Sequence, residues 1–443
     1  MPGVDVGSID AAGLYTAPSV VPYPGSVLVR AETVGGATAT ATVFISSATA
    51  DGSFIPKVVF DRGQFGYDVA DLNADGIPDI LNRVSGGGFN THDLLPGLGD
   101  GTFGPPQPRH FVGKSGRDGR VFGDLNGDGF PDLVGMDASK VFEDGNFHIT
   151  LTLPDGSFDT ANTQSRFVGG TGSFQGPRDA VIADFNGDGV NDIAVVEGLN
   201  DAVHVFLNSG SGTFPSASIY SVGADNPFRL ETADLDADGR LDLVVASRQD
   251  LSISVLLNEG GVFGTPQVLS LSPGGSGFPS FELGDLNNDG LIDLFTSGTG
   301  AVESRTGNGD GTFGPPHTPI ASGNLRTLGH FNADGNLDVI LDAPSGAELW
   351  LGDGAGGFTF HSSPSSGLST SVIEATELNG DGNYDLLVSF FDGSQFLLAS
   401  LLGGPGVVVP VAVQVEPSSA TVNVEFSQPF ETKVFGTLDN LVE

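Results

Sequence analysis

The sequence predicts an all-β fold, a seven-bladed β-propeller, and three observations carry that expectation. A nine-residue pattern typified by Asp124-Leu-Asn-Gly-Asp-Gly-Phe-Pro-Asp132 occurs seven times, at intervals of 53, 60, 50, 51, 45 and 47 residues. A period near fifty indicates a propeller, a solenoid or an array. Each copy is entered and left by short apolar strands, as in Asp179-Ala-Val-Ile-Ala183 and Asp192-Ile-Ala-Val-Val196. A third strand follows (His204–Leu207, Ser252–Leu257), and a Gly-rich turn with Phe, such as Asp100-Gly-Thr-Phe103 or Asp310-Gly-Thr-Phe313, leads to a fourth. Four antiparallel strands per unit describe a propeller blade, and the usual range is about 4–8 blades.

Taken in order, residues 1–47 contain Ser26–Glu32 and Ala37–Ile45, whose period-two alternation of β-branched residues predicts paired strands. The stretch Gly7-Ser-Ile-Asp-Ala-Ala-Gly-Leu-Tyr-Thr-Ala-Pro18 resembles the latter half of bacterial immunoglobulin-like domains. A whole sandwich of that kind needs about 100 residues, so the segment is part of one. Residues 48–406 hold the repeats. Within them Asp51-Gly-Ser-Phe-Ile-Pro-Lys-Val-Val-Phe60 has the pattern of a fourth strand yet precedes the first loop, whereas the seventh unit ends on its third strand, Gln395–Leu402. Residues 54–60 are therefore expected to complete the seventh blade, which removes a strand edge and closes the ring. Residues 407–443 are Val-rich, and Val411–Val422 with Phe426–Phe430 resembles the opening strands of the same immunoglobulin-like family. Closure brings the two flanks together. They either complement each other, within or between chains, or are truncated ends of a longer modular protein.

The nine-residue pattern has the chemistry of a hard-cation loop. Asp or Asn at positions 1, 3 and 5, a turn-forming Gly at 6, a carbonyl at 7 and Asp at 9 make an oxygen-only shell, which favours Ca2+ over Zn2+, copper or Mg2+. The expected ligands are Asp71, Asn73, Asp75, Ile77 and Asp79; Asp124, Asn126, Asp128, Phe130 and Asp132; Asp184, Asn186, Asp188, Val190 and Asp192. They continue with Asp234, Asp236, Asp238, Arg240 and Asp242, then Asp285, Asn287, Asp289, Leu291 and Asp293. The sixth loop offers Asn332, Asp334, Asn336 and Asp338 behind His330, a poor Ca2+ ligand, and the seventh Glu377, Asn379, Asp381, Asn383 and Asp385. Five to seven bound ions are expected. A plain Asx turn needs one or two such residues, not five at fixed offsets. The loop at Asp234, with four acidic side chains, is expected to hold its ion best.

The formal charge is −38, and the seven loops supply 21 of the carboxylates. Seven divalent ions add fourteen charges and bring −38 to −24. That acidity argues against nucleic acid and anionic membrane surfaces as partners. No apolar run approaches the roughly 20 residues of a membrane span, so membrane insertion is not expected. Cysteine is absent, which removes disulfides and thiol chemistry. The start Met1-Pro-Gly-Val-Asp5 lacks the basic and apolar regions of an export signal, and the chain reads as an interior piece of a longer exported protein.

On these loops and Phe-Gly turns, residues 48–403 resemble FG-GAP/VCBS repeats, the blades of integrin α-subunit propellers and of many secreted bacterial proteins. The resemblance implies Ca2+ bound through side chains at positions 1, 3, 5 and 9 and the carbonyl at 7, and an extracellular or cell-surface location. His330 and Glu377 depart from its pattern. The functions it suggests are a non-catalytic adhesion or interaction module with a protein or glycan ligand at the cell exterior; a lectin; and, third, a glycosidase or polysaccharide lyase. One Trp and five Tyr leave few aromatics for a sugar platform. The seven His stand in unrelated contexts, and no nucleophile elbow, His-Glu-x-x-His or phosphate loop occurs, so no catalytic residue is expected.

Overall fold

The computed structural model describes strand Phe54–Phe60 and residues 67–403, except 84–90, 111–119, 137–144, 155, 170–175, 272–278, 298–301, 318–323, 333, 344–345, 364–369, 381–382 and 392–395; outside these it describes the backbone of seven strands in the flanks. The repeats fold as seven antiparallel sheets in chain order. Blade 1 is Tyr67–Ala70, Asp79–Arg83, Thr91–Leu95 and Gln107–His110; blade 2 is Arg120–Gly123, Asp132–Met136, Asn146–Thr150 and Gln164–Phe167. Blade 3 is Pro177–Ala183, Asp192–Glu197, Ala202–Phe206 and Ser218–Ser221; blade 4 is Pro227–Ala233, Asp242–Ser247, Ser252–Leu256 and Gln267–Ser270. Blade 5 contributes Ser280–Gly284, Asp293–Ser297 and Glu303–Arg305, and blade 6 Asn324–Gly329, Asp338–Ala343, Gly346–Gly352 and Phe358–Ser362. Blade 7 takes Thr370–Thr376, Asp385–Phe391 and Phe396–Gly403 from the end of the repeats and Phe54–Phe60 from their beginning, with Phe60 opposite Leu398 and Phe54 opposite Gly403. The expected closing strand is the observed one.

Burial orders the strands from axis to rim. First strands pack on the first strands of neighbouring blades, so they surround the axis. Second strands such as Asp192–Glu197 and Asp242–Ser247 are buried at every residue, and fourth strands alternate toward solvent. A strand with a neighbour on both faces must be apolar on both, hence the unbroken run Ile193-Ala-Val-Val196. Its odd and even residues serve different junctions: Ile193 and Val195 pack with Phe147 and Met136 of blade 2, whereas Ala194 and Val196 pack with Leu243 and Val245 of blade 4. Every junction has such a cluster, and Ile80 and Leu95 of blade 1 meet Leu387 and Leu398 of blade 7, so the ring is closed. The position-2 residues Leu72, Leu125, Phe185, Leu235, Leu286, Phe331 and Leu378 are all buried. Phenylalanines pack edge to face, as Phe147 with Phe206 and Phe295 with Phe358.

The flanks pair with each other. Ser26–Glu32, Thr38–Ser47 and Val408–Glu416 form one sheet, and Ser8–Ile9, Leu14–Thr16, Thr432–Gly436 and Val422–Phe426 form another. Each sheet draws strands from both ends of the chain. Most of the stretch from Gly7 to Pro18 lies outside the described residues.

Candidate metal centres

All seven nine-residue loops join the first strand of a blade to its second, so they lie on one face of the ring. Their shape comes from two residues with left-handed backbone. The glycine at position 6 has φ between 80° and 86° in the first six loops, as its conservation of type within the repeat predicts. Position 4 was not singled out by the sequence reading, yet Ala74, Gly127, Gly187, Ala237, Asn288 and Gly380 all have positive φ there. The usable signal was that only Ala, Gly or Asn ever occupies it, and a β-branched side chain would be strained in that conformation.

The resulting coil turns amides and carboxylates toward one centre. At position 1, Asp71 accepts the amides of Asp75 (3.0 Å) and Gly76 (2.7 Å), and Asp124, Asp184, Asp234 and Asp285 accept the corresponding pair. At position 3, Asn73, Asn126, Asn186, Asp236 and Asn287 accept the amide of position 5. At position 5, Asp75, Asp128, Asp188, Asp238 and Asp289 accept the amide of position 7, that of Ile77, Phe130, Val190, Arg240 or Leu291. In loop 4, carboxylate oxygens of Asp234, Asp236 and Asp242 lie within 4.8 Å of one another, a donor set that fits a hard cation. Loop 4 is also where Arg240 places its guanidinium on Asp238 while donating to Asn258 O at 2.8 Å. Its fourth carboxylate is thus already paired, which offsets the charge advantage expected of this loop.

Position 9 does more than face an ion. In all seven loops its carboxylate is buried and bonded by two backbone amides, one from position 2 and one from a residue at, or two places beyond, the end of the third strand. Asp192 accepts from Phe185 (3.0 Å) and Asn208 (2.7 Å), and Asp242 from Leu235 (2.9 Å) and Asn258 (2.7 Å). Asp79, Asp132, Asp293, Asp338 and Asp385 repeat the arrangement. Each oxygen keeps a second lone pair for a cation. Burial, opposed by the two amides and reinforced by the carboxylates at positions 5 and 1 (for Asp242, by Asp236 and Asp238), pushes Asp79, Asp132 and Asp242 up to about 6. A positive charge in the loop relieves that cost.

The loops also fasten neighbouring blades. The position-2 carbonyl of one blade accepts a hydrogen bond from the next: Leu125 O from Asn208 Nδ2 (2.7 Å), Phe185 O from Asn258 Nδ2 (2.9 Å), Leu235 O from Gly311 N (3.3 Å), Leu286 O from Gly356 N (3.2 Å) and Leu378 O from Gly101 N (3.2 Å). The last of these crosses the closing junction, where Ser400 Oγ also donates to Gly101 O at 2.9 Å. Asn208 and Asn258 escaped the sequence reading, although Leu207-Asn-Ser-Gly210 and Leu257-Asn-Glu-Gly260 share a signature after the third strand.

The last two loops differ. In loop 6, Asn332 and Asp334 keep the position-3 and position-5 bonds to the amides of Asp334 and Asn336, but His330 Nδ1 lies 2.9 Å from Asn336 O. In loop 7, Glu377 accepts the amides of Asn379 (3.1 Å) and Gly380, and Asn383 is buried. Asp381 lies outside the described residues.

A second charged group sits at the axis, away from the loops. Arg229 Nη2 on the first strand of blade 4 donates to Glu231 (2.5 Å) and to Glu282 of blade 5 (2.7 Å), while Nη1 donates to Ser280 Oγ at 2.6 Å. The guanidinium lies over the Phe281 ring, 5.1 Å from its centroid. Burial outweighs the attraction of Arg229 and pushes Glu231 up to about 8; Glu282 is raised by the same cause. The register places Val121 and Val181 at the Glu231 position in blades 2 and 3, so the charge belongs to particular blades and not to the repeat. His204, buried between strands of blade 3, is lowered to about 4 by desolvation and is neutral at physiological pH.

No curated protein matches the sequence. Among solved structures, BBS1N in complex with ARL6DN aligns with a TM-score of 0.51 at 10% identity over 79% of this chain and 97% of that one. The periplasmic gluconolactonase PpgL of Pseudomonas aeruginosa gives 0.51 at 14% identity over 76% and 95%. An Agrocybe aegerita lectin solved for its recognition of non-reducing terminal N-acetylglucosamine gives 0.48 at 22% identity over 66% and 78%. At these identities the likeness is one of fold. The FG-GAP-like repeat family matches residues 184–245 and 234–296, the segments that hold loops 3, 4 and 5. The chain therefore carries FG-GAP-like repeats, folded as blades of a seven-bladed propeller.

Proposed function

We propose that the chain is a calcium-binding extracellular adhesion or interaction module, without catalytic activity, whose ions stiffen a ring that presents a protein or glycan ligand surface. The observation that carries this reading is the convergence of Asp234, Asp236 and Asp242 oxygens within 4.8 Å, in a loop type that recurs around one face. A bound cation there neutralises carboxylates that burial and mutual repulsion disfavour. It also fixes the position-2 carbonyls that hold adjacent blades. Extracellular modules of this kind bind Ca2+ at about 10⁻⁴–10⁻³ M, which suits the cell exterior. The BBS1N propeller, solved with a protein partner, illustrates the use of this fold for protein recognition. In the same reading the two flanks form one immunoglobulin-like sandwich, because strands from both ends share its sheets. Calorimetric titration of Ca2+ into the chelated full chain tests the proposal: five to seven ions and a higher melting temperature are expected, and no binding at millimolar calcium overturns it.

A second reading rests on the axial Glu231–Glu282 pair. Two glutamates bonded to one arginine nitrogen, with burial raising Glu231, offer a carboxyl pair of the kind that glycoside hydrolysis uses. Release of aryl alcohol from chromogenic glycosides, lost in Glu231→Gln, supports it; a glycan array bound without turnover favours the first reading.

A further inference from the structure

Loop 6 departs from the other loops in a way that points to a specific role for His330. In loops 1 to 5 the position-1 carboxylate accepts the amides of positions 5 and 6, and among the described residues no side-chain donor reaches the position-7 carbonyl. In loop 6 the imidazole at position 1 reaches that carbonyl, with His330 Nδ1 2.9 Å from Asn336 O. A carbonyl oxygen only accepts, so Nδ1 carries the proton and donates it. The position-7 carbonyl is the one backbone oxygen that a cation would take in this kind of loop. His330 thus supplies to it, through an N–H dipole, what an ion supplies elsewhere.

The rest of loop 6 is consistent with an inbuilt substitute. Its side chains bring two carboxylates, Asp334 and Asp338, where loops 1, 2, 3 and 5 bring three. As in the other loops, both Asp338 oxygens hold backbone amides, of Phe331 (3.0 Å) and Gly352 (2.9 Å), and, as in loops 2, 3 and 5, the position-3 Asn332 Nδ2 donates to Asp334 Oδ2, here at 3.1 Å. The coil is held by its own hydrogen bonds. Its neighbour is held without an ion as well: Tyr384 N of blade 7 donates to His330 O at 3.1 Å, and the Tyr384 ring meets Phe331 edge to face at 6.0 Å.

We propose that loop 6 is a metal-free joint in which the His330 imidazole stands in for the cation, so that the junction of blades 6 and 7 keeps its geometry when the other loops are stripped of calcium. Blade 7 is the blade that receives Phe54–Phe60, so this constitutive joint lies beside the seam that closes the ring. The inference rests on the reading of the other loops as calcium sites, and the test separates the two.

Bound Ca2+ is counted by native mass spectrometry and calorimetry on the full chain and on three single variants. Asp334→Asn in loop 6 is expected to leave the count unchanged, whereas Asp128→Asn in loop 2 loses one ion. His330→Asp restores the missing carboxylate and is expected to gain one ion. Tb3+ in place of Ca2+ gives a second readout, because Trp350 pairs with Val339, next to Asp338, and is the one tryptophan of the chain. Its excitation is expected to yield stronger Tb3+ emission in His330→Asp than in the parent. Loss of an ion on Asp334→Asn overturns the proposal, as does an unchanged count in a folded His330→Asp. No loss on Asp128→Asn instead overturns the calcium reading of the loops themselves.

Discussion

The aspartate at position 9 shows how one residue serves two ends. It was expected as a metal ligand, and in loop 4 its oxygen does join those of Asp234 and Asp236. Its burial and its two amide bonds make it a structural clamp whether or not an ion is near. Asp192→Ala leaves the buried amides of Phe185 and Asn208 without acceptors, at a cost of about 1–3 kcal/mol each. The expected outcome is a lower melting temperature in chelator and in calcium alike. Asp188→Asn, which keeps the shape of an exposed position-5 residue, is expected to lower melting in calcium only. Thermal denaturation of both variants with and without chelator checks the distinction, and equal losses in chelator would remove it.

At the scale of elements, the step from first strand to loop depends on small residues. The last residue before each loop is Ala70, Gly123, Ala183, Ala233, Gly284, Gly329 or Thr376. The reason is pressure from the next blade: a Cβ on Gly329 would stand 2.0 Å from the Tyr384 ring, and one on Gly284 2.6 Å from Leu337. Neither neighbour is a free side-chain end, since Tyr384 packs on Phe331 and Leu337 belongs to the blade 5–6 core. Gly329→Val is expected to destabilise by roughly 1–3 kcal/mol, as overpacked cores do. Urea unfolding of the calcium-loaded chain measures it, and an unchanged midpoint would mean that blades 6 and 7 can separate without cost.

For the whole molecule the decisive contact is the pairing of Phe54–Phe60 with Phe396–Gly403. It joins residues more than 300 positions apart and gives blade 7 its rim strand. Deleting residues 48–60 leaves the third strand of blade 7 as an open edge, a template for aggregation. A large fall in melting temperature with loss of solubility is expected, and unchanged melting would refute the closing role. The cohesion of the ring is otherwise spread over its junctions, each with its own apolar cluster and, at five of them among the described residues, a hydrogen bond to a position-2 carbonyl.

Much of this was legible in the sequence because a repeat makes each local pattern its own control. The period, the four strands found in six of the seven blades and the displaced strand at 54–60 follow from periodicity and turn chemistry, whereas the fourth strand expected in blade 5 is not among its described strands. The loop positions whose carboxylate and amide oxygens turn onto backbone amides follow from fixed offsets in a nine-residue loop. What the tertiary structure alone decided are contacts between units. The bonds from Asn208 and Asn258 to a neighbouring blade and that from Arg229 to Glu282 depend on which side chains meet across a junction, whereas the neutralisation of Asp238 by Arg240 and the turn of His330 onto Asn336 O depend on how one side chain turns within its own loop. The choice between truncated flanks and flanks that pair with each other is likewise a matter of contact between units. Such meetings are set by how sheets stack around an axis, which a repeat pattern announces as an architecture without naming the individual side chains that it brings together.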